Sequence, residues 1–68
     1  EVVYVAAGTG SAWIDGVVFD LAPGSVVRIP AGAPHATIPD PGSSMRLICF
    51  FGHPDLAQNI EDTEIVLT

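Results

Sequence analysis

An all-β domain is the fold class this sequence predicts, and three observations predict it. Glycine and proline recur roughly every six to ten residues, seven Gly and six Pro in 68 positions, which is the rhythm of turns between short strands. The stretches between them are rich in Val, Ile, Leu and Phe and never run long. One dipeptide, Asp15-Gly16, is the strongest short-range hairpin signal, because a type I′ turn needs positive φ at both central positions.

The elements follow in order. Residues 1–7 are valine-rich and β-branched and end in Gly8-Thr9-Gly10. Residues 11–14 lead into the Asp15-Gly16 hairpin. Residues 17–21 return from it, with Val17, Phe19 and Leu21 on one face and Val18 and Asp20 on the other. Ala22-Pro23-Gly24 makes a turn, with proline fixing φ at its second position. Residues 26–29 form a short strand closed by Pro30-Ala31-Gly32-Ala33-Pro34, and residues 35–38 form another. Pro39-Asp40-Pro41-Gly42-Ser43-Ser44 reads as a loop. Residues 45–51 are the most apolar strand: Met45, Leu47, Cys49 and Phe51 share one face, Arg46, Ile48 and Phe50 the other. Apolar residues on both faces place this strand centrally. Asp55 is positioned to cap one helical turn over residues 55–59, and residues 64–68 close the chain as a strand. The whole is one domain, 1–68, with no repeat and no linker.

Composition bounds the partners. Two arginines and no lysine face eight acidic residues, a net charge of −6. Nucleic-acid binding draws its salt-sensitive affinity from Lys and Arg on phosphates, and attraction to anionic membranes needs the same cations. Neither partner is expected. The apolar runs are too short to span a bilayer. A single cysteine, Cys49, allows no internal disulfide, in keeping with a reducing, cytoplasmic setting. Hydrophobic residues make up 49% of a chain that buries only about 60% of its unfolded surface. Further chain or a second subunit is therefore expected to cover part of the apolar excess.

Two glycine-anchored spacings carry more information. Residues 24–35 contain Gly24, Pro30, Gly32 and His35 in the pattern G-x5-P-x-G-x2-H, and Glu1 and Gly8 form E-x6-G. Fifteen residues separate Gly8 from Gly24, and the predicted hairpin lies among them. The first pattern resembles the second conserved motif of the cupin superfamily. The other resembles the tail of the first cupin motif, and the short spacing is similar to that of small bacterial cupins. Independently of the family, Gly32 lets the backbone bend before His35, aiming the imidazole from a braced junction, as a ligand requires.

The resemblance implies a double-stranded β-helix, a jelly-roll barrel of two packed antiparallel sheets. It implies Glu1 and His35 as metal ligands for a divalent Fe, Mn, Ni, Zn or Cu ion. It also implies an H-x-H pair a few residues before the Glu, and this chain starts at the Glu. The expectation is thus a barrel whose front lies upstream or is supplied by another chain, with homodimerisation through sheet edges. Pro39 stands where the second motif has Asn.

Other residues divide between site and scaffold. Arg28 is a candidate for binding a substrate carboxylate bidentately, against a plain surface role. Trp13 and Phe51 are candidate substrate contacts, although an apolar core needs such residues in any case. Cys49 alternates with Leu47 and Phe51 and reads as a small core residue. His53, in a turn, reads as no ligand, and Glu61, Asp62 and Glu64 read as a solvated surface. The implied function is a metal-dependent cupin acting on a small organic molecule, similar to dioxygenases, isomerases or decarboxylases. The alternatives are a metal-free small-ligand or sensory module and a structural dimerisation domain.

Overall fold

A computed structural model describes residues 1–52 and 60–66. It contains seven strands: β1 (Val2–Ala7), β2 (Gly10–Ile14), β3 (Val17–Leu21), β4 (Val26–Arg28), β5 (His35–Pro39), β6 (Ser44–Phe50) and β7 (Ile60–Val66). They form two antiparallel sheets, one of order β4-β1-β6-β7 and one of order β3-β2-β5. This is the two-sheet architecture expected, and among the described residues it does not close into a complete barrel. His53, the helical turn proposed at 55–59 and the last two residues of the predicted final strand lie outside the described residues.

Local chemistry explains the turns. Asp15 and Gly16 both take positive φ, 47° and 87°, so the β2–β3 connection is the tight hairpin the dipeptide announces. The turns at residues 22–25, 30–33 and 40–43 each close with a backbone bond from the fourth residue to the first carbonyl, 2.9–3.1 Å long. Each carries glycine with positive φ at its third position, the requirement of a type II turn.

β6 is central, paired with β1 on one side and β7 on the other. β7 starts at Ile60, four residues before the predicted position. Its acidic residues disguise it, since Glu and Asp are poor strand formers. They are tolerated because β7 is an edge strand and because Arg46 on β6 answers them. Arg46 Nε donates to Asp62 Oδ1 at 3.0 Å, and Arg46 sits directly across from Glu64. The guanidinium holds the Asp62 carboxyl below its ordinary range.

The core is graded from one end of the molecule to the other. Facing inward, Val5 and Met45 are fully buried, and Val3, Ala12, Leu21, Leu47 and Cys49 nearly so. In the three-stranded sheet, the inward row Gly10, Leu21 and Pro39 is buried, whereas the row Ile14, Val17 and His35 is half-buried to exposed. In the four-stranded sheet, burial likewise relaxes from Met45 towards Phe51 and from Val5 towards Glu1. The space between the sheets therefore has a packed floor around Met45 and an open mouth around Glu1 and His35.

Candidate functional site

Glu1 and His35 come from different sheets and meet across that mouth. Glu1 extends the β1–β4 ladder by one step: its main-chain nitrogen donates to the Ile29 carbonyl (3.0 Å), and the Ile29 N–H donates back to the Glu1 carbonyl (2.7 Å). Two backbone bonds thus fix where the carboxylate starts. His35 opens β5 directly after the turn at 30–33, and that loop is tied to the hairpin by the Asp15 N–H donating to the Pro34 carbonyl at 2.8 Å. The Cα pairing of His35 with Ile14 sets its side chain on the inward face.

The orientation of the imidazole decides its chemistry. His35 Nδ1 lies 2.9 Å from the Ala33 carbonyl oxygen. A carbonyl only accepts, so the hydrogen bond assigns the proton to Nδ1 and leaves the Nε2 lone pair available in the neutral ring. Nε2 lies 3.7 Å from Glu1 Oε1. A lone-pair nitrogen and a carboxylate oxygen converging at the mouth of an apolar space are two donors of the type that hold a borderline divalent metal. The backbone-anchored Nδ1–H is the outer support that metal-binding histidines commonly have. Among the described residues, no group of three or more His, Cys, Asp or Glu gathers around a common point.

Cys49 lies deeper on the same side. Burial, with the nearby carboxylates of Glu1 and Glu61, pushes its pKa from the ordinary 9.0 up to about 11. The thiol is therefore inert at neutral pH, as the core reading of Cys49 requires. The folded protein is expected to resist thiol-labelling reagents at pH 8, with rapid reaction only after unfolding. Because the unfolded chain ionises this thiol first, its contribution to stability is complete below pH 9. It is lost as pH rises towards about 11. Thermal unfolding measured across that window checks the sign.

A groove of about 420 Å³ opens between the edges of β3 and β4. Ile14, Leu21 and Val27 line it with Phe19, while Asp20 and Arg28 are its charged lining residues. Neither Glu1 nor His35 lines it, but Ile14, which does, is His35's cross-strand neighbour. Of the substrate contacts expected from sequence, Arg28 lines this groove and Phe51 packs against the core near the mouth. Trp13 does not join them. Strand alternation puts it on the outer face of its sheet beside Val18 and Ala36, away from the space between the sheets. Phe19, 47% exposed although it faces inward, also lines the groove and is not among the contacts expected from sequence. Its alternation with Leu21 held the signal.

A family model for the cupin domain matches residues 1–51 of this chain. The chain belongs to the cupin family. The match takes in both glycine-anchored spacings together with Glu1 and His35, and six of the seven strands. No curated protein and no solved structure matches this cupin domain. No helix among its described residues is long and apolar enough to cross a membrane.

Proposed function

We propose that this cupin domain uses Glu1 and His35 as two ligands of a divalent transition metal and presents the nearby groove to a small organic molecule. The observation that carries the proposal is the His35 ring: Nδ1 is engaged by the Ala33 carbonyl and Nε2 faces the Glu1 carboxylate at 3.7 Å. Nitrogen and oxygen donors without sulfur suit Fe, Mn, Ni, Zn or Cu. When bound, such an ion supplies Lewis acidity or a redox centre, the chemistry of dioxygenase-, isomerase- or decarboxylase-type cupins.

The residues of the chain supply the rest. The Ala33 carbonyl holds the His35 ring in one tautomer and one direction. The Glu1 carboxylate contributes the negative charge that favours a cation. Ile14, Phe19, Leu21 and Val27 exclude water from one side of the bound molecule. Arg28, a planar donor at the groove, binds a carboxylate or similar anionic group, and Phe51 contributes apolar contact near Glu1.

A second reading has its own support. A spacing of 3.7 Å also suits a direct charge contact between Glu1 and a protonated His35, and the apolar groove then serves a metal-free binding or sensory module. Elemental analysis of the protein purified without chelators separates the two. The metal reading predicts bound transition metal that falls about tenfold or more in His35→Ala. Metal content unchanged by that substitution removes His35 as a ligand. Absence of metal from both proteins, with ligand binding intact in the variant, establishes the second reading.

A further inference from the structure

Two charges of opposite sign line the groove between β3 and β4, and neither has a partner within the chain. Of the two arginines, Arg46 is committed to Asp62. Arg28 makes no side-chain hydrogen bond and no ion pair among the described residues. Asp20, on the β3 side, makes none either. In a chain of net charge −6, an arginine that engages no carboxylate is open to an anion from outside. A third polar group lies beside them. Ser25 Oγ accepts the Ala22 N–H at 3.0 Å, which leaves the hydroxyl proton to donate within the groove that Ser25 lines.

The rest of the lining is apolar. Leu21 is buried, Ile14 and Val27 are half-buried, and Phe19 leaves 47% of its surface exposed. The end of the groove at the turn joining β3 to β4 is stiff. Gly24 N–H donates to the Val5 carbonyl and Val5 N–H to the Ser25 carbonyl, each at 2.9 Å. Walls tied to β1 in this way need little reordering when a ligand enters. A volume of about 420 Å³ lies at the small end of ligand sites.

We propose that the groove binds a small zwitterion, an apolar amino acid, and does so without a metal. Its carboxylate meets the Arg28 guanidinium and the Ser25 hydroxyl, its ammonium meets Asp20, and its side chain rests on Ile14, Phe19, Leu21 and Val27. The facing sheets that carry β3 and β4 stand about 10 Å apart. A short aspartate and a long arginine narrow that gap to the size of one amino-acid head group. The proposal names a molecule for the groove half of the function proposed above and does not depend on its metal half. A ligand carrying only one of the two charges forfeits a charge-assisted contact, which lowers affinity about tenfold or more.

Backbone amide NMR of the chain in EDTA tests this, with L-leucine, isocaproate and isoamylamine titrated separately. Isocaproate is leucine without its ammonium, and isoamylamine is leucine without its carboxylate. Leucine is expected to bind at about millimolar concentration, with saturable shifts centred on residues 19–21 and 25–28. Each of the other two should bind about tenfold more weakly or worse. Arg28→Gln should weaken leucine and isocaproate while leaving isoamylamine unaffected. Asp20→Asn should weaken leucine and isoamylamine while leaving isocaproate unaffected. Both side chains are exposed, so the variants should fold, and their amide spectra check it. Absence of saturable leucine shifts overturns the proposal, as do shifts centred elsewhere. Isocaproate or isoamylamine binding as tightly as leucine overturns it too, as does leucine binding indifferent to either substitution. None of these results bears on metal at Glu1 and His35, which elemental analysis decides separately.

Discussion

Gly8→Ala is expected to destabilise the domain by roughly 2–5 kcal/mol, combining left-handed backbone strain with overpacking against neighbouring backbone. Gly8 has φ +84°, and a Cβ there would drive into the Ser44 carbonyl oxygen and lie 2.9 Å from Met45 Cα. Both obstacles are main chain, so relief requires β6, the central strand, to move. A domain of this length has a total stability of about 3–10 kcal/mol, and the variant should be partly or wholly unfolded. Gly24→Ala is the control. Gly24 has φ +92° but nothing within 4 Å of the added atom, so only the conformational strain of about 1–2 kcal/mol applies. Urea denaturation of the two variants checks the difference. Equal losses would mean that backbone conformation alone, not the close approach of Gly8 to β6, fixes this glycine of the first motif.

Met45→Ala is expected to cost about 2–5 kcal/mol, because Met45 is fully buried and its surroundings cannot collapse freely onto a cavity. Met45 packs the closed floor between the sheets. A Cβ added at Gly10 would lie 2.6 Å from its sulfur, a measure of how tightly the sheets approach there. Met45→Leu conserves volume and should cost less than about 1.5 kcal/mol. At the other end of the same strand the core is looser, and truncation of Phe51, half-buried at the mouth, should cost less than Met45→Ala. Denaturation midpoints for the three variants test the floor-to-mouth gradient. A Phe51→Ala loss exceeding that of Met45→Ala would contradict it.

The turns and the central strand were legible in the sequence because local chemistry determines them. Asp15-Gly16 demands its hairpin whatever surrounds it, and the two apolar faces of residues 45–51 demand neighbours on both sides. The turn before His35 was legible for a related reason: Pro30 and Gly32 stand where a tight turn needs them. The start of β7 was not legible. Its acidic residues argue against a strand until Arg46, sixteen residues before Asp62 and eighteen before Glu64, is known to lie across from them. Trp13 was misplaced because an aromatic residue satisfies a pocket and an outer sheet face equally well in sequence, and only the pairing register separates the two. The groove was invisible for a similar reason. It lies between β3 and β4, which share no ladder, so no pattern within either strand announces it. The Glu1–His35 contact is the same kind of fact. Each residue has its local anchor, but their meeting depends on how two sheets stack.

The most direct test of that meeting is nitrogen-15 NMR of the His35 ring, recorded on the protein with and without added zinc. The neutral ring is expected to carry its proton on Nδ1, bonded to the Ala33 carbonyl. Zinc should shift Nε2 selectively while the Nδ1–H signal persists, and Glu1→Gln should weaken that response. A ring protonated on Nε2, or Nε2 unaffected at saturating zinc, would contradict the assignment of Glu1 and His35 as a metal-binding pair.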